Sequence, residues 1–264
     1  MVRIVTTTFR GVLRDKIFHG ILFIVSLFLF IPSASSFSLR QVTQLSVTLS
    51  LSLTSALLLL LAVFLGGTSL WKDVERRYIH SVLGGTPISR SSYLFGKYNG
   101  ISLFILTTAL LLGVMSFAAI WYTSTVYPPD RPVLWLNILY AVFFDALKYV
   151  LLVAVAFLLS TVSTSFFLPI FGTIATFLAG SATQEVYDYL HTDQGAQLSA
   201  GLKTAALFFY YLLPNFSAFD LKAQAIYSIP HEPASLLLTL GYAVVYIAIL
   251  LTSASLLFSR RELR

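Results

Sequence analysis

The sequence predicts an all-α integral membrane protein with six transmembrane helices, and three observations lead there. Hydrophobic residues fill 57% of the 264 positions and charged residues only 11%, with a mean hydropathy of +0.84, which excludes an ordinary water-soluble domain. Uncharged runs cover residues 17–39, 41–71, 98–129, 149–184 and 233–259, each long enough for a crossing that needs about 20 helical residues. These runs are continuously apolar, without the alternation of barrel strands, so helices are expected to span the bilayer.

Taken in order, residues 1–16 predict an interfacial helix. Val2, Val5, Phe9, Val12 and Leu13 share one face and Arg3, Arg10 and Arg14 line another, a pattern suited to the headgroup plane. The competing reading is a cleaved signal peptide with 17–31 as its apolar region and 32–36 as its cut site. The first two spans are expected at about 17–36 and 47–68, followed by a polar loop over 69–97 and a third span at 98–122. The run 149–184 would be about 54 Å long as one helix, too long for a single crossing. The stretch Ser160 to Ser165 is its natural turn, which places spans four and five at 139–160 and 165–182.

Residues 183–232 form the largest segment outside the spans. Within it Thr204–Leu213 is apolar but too short to cross, so a re-entrant or interfacial helix ended by Pro214-Asn215 is expected as part of an ordered outer cap. In its Phe208-Phe209-Tyr210-Tyr211 cluster, interface-belt aromatics and an exit-path lining are the two readings. A sixth span at 234–258 and a basic tail complete a single transmembrane domain over 1–264.

The distribution of Lys and Arg sets the orientation. One side collects Arg3, Arg10, Arg14, Lys16, Lys72, Arg76, Arg77, Arg90, Lys97, Arg260, Arg261 and Arg264; the other has Arg40, Arg131, Lys203 and Lys222. The first side is therefore expected in the cytoplasm, with both termini there. The basic balance reads as a topology signal directed at membrane lipid, and no nucleic-acid module is needed to explain it. The chain has no cysteine, which removes disulfides, thiolate ligands and cysteine nucleophiles.

The most distinctive stretch is the polar island between spans two and three. It contains Glu75-Arg76-Arg77-Tyr78-Ile79-His80-Ser81-Val82-Leu83, then Pro87-Ile88-Ser89-Arg90, then Tyr93-Leu94-Phe95-Gly96-Lys97. A charged helix, a Gly84-Gly85-Thr86-Pro87 break and a second short helix leading into span three are expected. The island resembles the first cytoplasmic loop of ABC transporter permeases of the second exporter type, a family that includes relatives linked to multicopper-enzyme maturation. Arg14-Asp15-Lys16-Ile17-Phe18, Phe157-Leu158-Leu159-Ser160 and Leu213-Pro214-Asn215-Phe216 are compatible with the same family.

The resemblance implies a six-helix half-transporter of a bacterial or archaeal inner membrane. It would pair with a second permease, usually identical, and bind a separate cytoplasmic ATP-binding subunit. A coupling helix is then expected at about Lys72–Leu83, with Asp73, Glu75, Arg76, Arg77, Tyr78 and His80 toward the motor subunit. Pro87 and Arg90 would form the loop turn, and Gly96 and Lys97 would lead into span three. The chain has no G-x-x-x-x-G-K-[ST] loop, so ATP and Mg are expected on the partner and no cofactor on this chain.

Asp145 and Lys148 are the charges expected within a span, sharing one face at i, i+3. They read either as a gate or polar substrate contact, or as a structural pair, or as a pair near the outer interface. Gly96-xxx-Gly100 permits close helix approach, within the protomer or across a dimer. His19, His80, His191 and His231 form no ligand spacing, so no metal site and no catalytic residue is expected. Two other functions fit the same composition: an intramembrane lipid-modifying enzyme, and a non-transporting signalling or scaffold permease. The first would need more convergent acid, base or nucleophile groups than Asp145 and Lys148 supply.

Overall fold

The computed structural model describes residues 2–14, 16–38, 41–75, 89–129 and 131–260, and these contain helices and no strand. Helix α1 (Val2–Arg14) precedes a helical stretch made of α2 (Lys16–Leu27), a 3-10 turn over Phe28–Phe30 and α3 (Ile31–Ser35). Helix α4 (Val42–Leu61) continues through a π-helical turn at Ala62–Gly66 into α5 (Gly67–Glu75). The long helices α6 (Arg90–Val126), α7 (Trp135–Val162) and α8 (Phe167–Leu190) follow. Helix α9 (Asp193–Ala196), α10 (Ala200–Leu212), a 3-10 turn over Ser217–Phe219 and α11 (Lys222–Tyr227) come next, and α12 (Pro233–Arg260) ends the described chain.

Among the described residues five helical stretches are long and apolar enough to cross a membrane: Val42–Asp73, Arg90–Val126, Trp135–Val162, Phe167–Leu190 and Pro233–Arg260. Phe23–Ser35 is a shorter apolar helix. The protein is thus an all-α, multi-pass membrane protein.

Helix α7 is the centre of the bundle. Leu151, Leu152, Val153, Ala154, Ala156 and Phe157 are buried, and Tyr98 of α6 packs edge-on against Phe157 at 5.8 Å while donating to the carbonyl of Val150 at 3.2 Å. Small hydroxyl side chains bring α4 close to α6: Ser46 pairs with Thr123 at 3.1 Å, Thr54 with Ser116 at 3.2 Å, and Thr43 donates to the Tyr127 carbonyl at 2.8 Å. In hydrocarbon, where apolar faces gain little by meeting each other, close packing and such hydroxyl pairs hold helices together.

Gly96 and Gly100 are used within the chain. They receive Ile4 and Thr8 of α1, and a Cβ on Gly100 would lie 2.8 Å from the Thr8 Cβ. Phe9 completes this contact edge-on to Phe104. Helix α1 therefore docks near the start of α6, whereas Thr43 is bound at its far end, so residues 16–35 connect opposite ends of that helix.

Several boundaries differ from those expected. Helix α6 starts at Arg90, where the Ser89 hydroxyl accepts from the Ser92 amide, so residues 90–97 belong to the same continuous helix as span three. Helix α7 starts at Trp135 and α8 runs on to Leu190, past the apolar stretches, because nothing in the flanking polar residues breaks a helix. The break between them lies at 163–166, where Ser163 accepts from the Ser165 amide.

The segment 193–227 forms a hairpin beside α8 and α12. Its tip bonds to both: the Phe216 amide donates to the Gly180 carbonyl at 3.1 Å, and the Asn215 amide to the Tyr242 hydroxyl at 2.9 Å. The Tyr246 hydroxyl donates to the Leu212 carbonyl at 2.7 Å. Gly180 lies about 15 Å below the Leu190 end of α8 at ~1.5 Å per residue, so the tip reaches well into the bundle. Phe216 and Phe219 are buried there.

Candidate functional site

The ends of the polar island meet at a neck built by the last turns of α5 and the first turns of α6. The Asp73 carboxylate pairs with the Lys97 ammonium and accepts the Tyr93 hydroxyl. Lys97 also donates to the Ser69 carbonyl at 2.7 Å, and its stem is buried. Tyr93 and Lys97, one helical turn apart on α6, both face a single carboxylate on α5. Nearby, Arg90 donates to the Ser259 carbonyl at 3.3 Å, which ties the end of α12 to the same level.

This geometry places the predicted residues unequally. Asp73, expected to face a motor subunit, lies inside the neck, and Lys72 beside it is exposed. Residues 72–75 lie in the helix that begins at Gly67, and the rest of the expected coupling helix, 76–83, lies outside the described residues. Arg76, Arg77, Tyr78, His80 and Pro87 lie outside the described residues. Tyr93 is a partner that the sequence motif contained without showing its role.

A second polar cluster lies within the bundle. Asp145 and Lys148 pair at 2.5 Å on α7, and both are buried. They stand about 15–20 Å along a helix that begins at Trp135, deep in the bundle. Ser55 of α4 donates to Asp145 Oδ1 at 3.0 Å and lies 2.7 Å from the Tyr149 hydroxyl. The Lys148 ammonium stands 4.8 Å from the centre of the Tyr149 ring. Asp145 Oδ2 is buried without a hydrogen-bond partner. A paired acid and base neutralise each other where a lone charge would be costly, and the cluster joins α4 to α7. Sequence reading missed Ser55, one serine in a hydroxyl-rich span; Tyr149, one turn after Asp145, was visible in principle.

Beside the hairpin tip, Gln184 of α8 accepts from Asn215 at 2.8 Å and donates to Asp188 at 2.9 Å. Asn215 Oδ1 accepts from the Ser217 hydroxyl at 2.6 Å, which fixes the tip of the hairpin. The start of α7 holds the other arm: Asn137 donates to the carbonyls of Gln224 and Ile229 at 3.0 and 2.7 Å. Among the described residues no three His, Asp or Glu side chains are grouped to hold a metal ion.

The chain matches no protein-family model and no curated protein sequence.

Proposed function

We propose that this chain is the membrane-spanning permease subunit of an ATP-driven exporter, working as a dimer with separate cytoplasmic ATP-binding subunits. The observation that carries the reading is the polar island over 72–97, whose sequence resembles the motor-docking loop of such permeases and whose two ends are clamped by Asp73, Tyr93 and Lys97. Force applied to a loop is transmitted to spans only if its ends are fixed to them. A neck of this kind favours that coupling, because a displacement of 74–89 moves α5 and α6 together.

In this reading the chain crosses an inner membrane six times with both termini in the cytoplasm. The first crossing is 16–35, supported by its connection of opposite ends of α6, and the basic residues flank the cytoplasmic ends. The outer hairpin covers the far end of the route, and its movement would open it.

The test is co-purification of the tagged chain from native membranes with an ATP-binding subunit, followed by ATP hydrolysis in nanodiscs. Glu75→Lys and Tyr78→Ala should leave insertion intact and weaken motor binding or abolish stimulated hydrolysis. Normal assembly and transport by both variants would remove the proposal.

A further inference from the structure

Between the outer hairpin and α12 lies a cleft of about 340 Å³, within the ~300–1,000 Å³ range of small-molecule sites. Tyr210 and Tyr211 of α10, Asn215 of the tip, and Thr239, Tyr242 and Tyr246 of α12 form its walls. None of its lining residues is charged.

The rings stand as walls set at steep angles. Tyr210 and Tyr211 are 5.3 Å apart at 79°, and Tyr242 and Tyr246 are 5.3 Å apart at 47°. Three of the four are fixed from behind. Tyr210 stacks on Tyr187 at 4.3 Å, Tyr242 accepts from the Asn215 amide, and Tyr246 donates to the Leu212 carbonyl. Tyr211 is 74% exposed and Leu238 75% exposed.

Most polar side chains of the cleft are already engaged within the chain. The Asn215 side chain binds Gln184 and Ser217, and the Thr239 hydroxyl donates to the Ser235 carbonyl at 3.0 Å. A sugar or other polyol would need several unengaged donors and acceptors. A primary ammonium would need acceptors for three N–H bonds, and no carboxylate lines the cleft. A quaternary ammonium has no N–H to satisfy and is attracted by the negative faces of aromatic rings. The surrounding outer segment favours that sign of charge, since Glu185, Asp188, Asp193, Asp220 and Glu232 outnumber Lys203 and Lys222.

We propose that this cleft binds a quaternary ammonium headgroup carried on an apolar tail, with the headgroup among Tyr210, Tyr211, Tyr242 and Tyr246 and the tail along Leu238 and the exposed apolar face of α12. The role of such a molecule as cargo rests on the permease reading; its binding does not.

The test is equilibrium dialysis of radiolabelled tetradecyltrimethylammonium against nanodiscs with and without the full chain. Its neutral analogue, in which carbon replaces the nitrogen, is measured in parallel. Saturable binding above empty discs is expected, with the neutral analogue at least about fivefold weaker. Tyr211→Leu should weaken binding about three- to tenfold and Tyr211→Phe less than about twofold, because the ring and not the hydroxyl is the ligand. Tyr211 is at the surface, so its replacement leaves the fold intact.

Equal loss in the Phe and Leu variants would overturn the proposal in favour of hydrogen-bonded recognition. Equal binding of the neutral analogue, or no saturable excess over empty discs, would overturn it outright. Because the assay contains no ATP-binding subunit, a failure here leaves the permease reading untouched. Saturable binding by a chain that captures no motor would remove that reading and keep the site.

Discussion

Lys97, near the start of α6, forms an ion pair with Asp73 at the end of α5, and the two residues lie 24 positions apart with the whole polar loop between them. The pair is largely buried, so each charge depends on the other for its stability. Removing one partner of such a pair costs about 3–5 kcal/mol, whereas removing both can be nearly neutral. Asp73→Asn and Lys97→Met should each lower the unfolding midpoint in detergent, with a loss toward the lower end of about 3 kcal/mol because the site is at the bundle end. The double variant should recover much of the loss, and a double-mutant cycle with additive losses would count against a coupled neck.

The buried cluster on α7 follows the same logic at greater depth. Asp145→Asn leaves Lys148 without its counter-charge, and Lys148→Met leaves Asp145 with only Ser55. Each should reduce the folded yield in membranes, on the order of 2.5–3.5 kcal/mol per uncompensated charge. The combination Asp145→Asn with Lys148→Met should assemble nearly normally. On the proposed permease reading, assembly with loss of transport in this variant, and not in the neck variants, would place the pair in the route as well as in packing.

The hairpin tip depends on the absence of a side chain at Gly180. A Cβ there would collide with the Pro214 carbonyl and lie 2.8 Å from the Phe216 ring. Gly180→Val should therefore displace the tip at a cost of about 1–3 kcal/mol. Amide exchange over 213–221 should rise in that variant and remain slow in the parent chain. Unchanged exchange would mean that the tip is held by α12 alone.

His231 lies in the turn before α12, with its ring edge-on to Tyr140 at 5.6 Å and its Nε2 buried without a partner. Burial holds its pKa below the ordinary histidine value. The folded chain therefore binds this proton less readily than the unfolded one. The associated stability is fully present above the unfolded value of about 6.5 and declines as the pH falls through the interval below it. Melting curves between about pH 5 and 7.5 should show that decline, and His231→Gln should flatten it.

The proposed six-span topology makes a separate prediction that the cysteine-free chain renders simple to read. Single cysteines at Ser36, Thr125 and Thr192, all exposed, should react with an impermeant thiol reagent in intact cells. Cysteines at Thr6 and Ser259, also exposed, should react only after the membrane is opened. Labelling of the second group from outside would overturn the orientation.

Much of the architecture was legible without coordinates. Apolar runs of bilayer length set the helices, and the hydroxyl-rich stretch 160–165 marked the break at 163–166. Pro214-Asn215 marked the end of the short outer helix, since proline ends a helical pattern at the residue before it. Helix ends were less legible, because polar residues such as Glu185 and Asp188 are accepted in a helix that has left the apolar stretch.

Composition and periodicity by themselves determined that this is an all-α, multi-pass membrane protein, because bilayer thickness and the need to satisfy backbone hydrogen bonds leave few other structures for such a chain. They also singled out Asp145 and Lys148 as an i, i+3 pair, which is a property of one helix. Only the tertiary structure decided that Gly96 and Gly100 receive α1, that Asp73 turns inward to Tyr93 and Lys97, that Ser55 joins the buried pair, and that four tyrosines from two segments enclose one cleft. Those contacts join residues far apart in the chain, and in an apolar span every hydroxyl or small residue looks alike until packing selects the face on which it meets a partner.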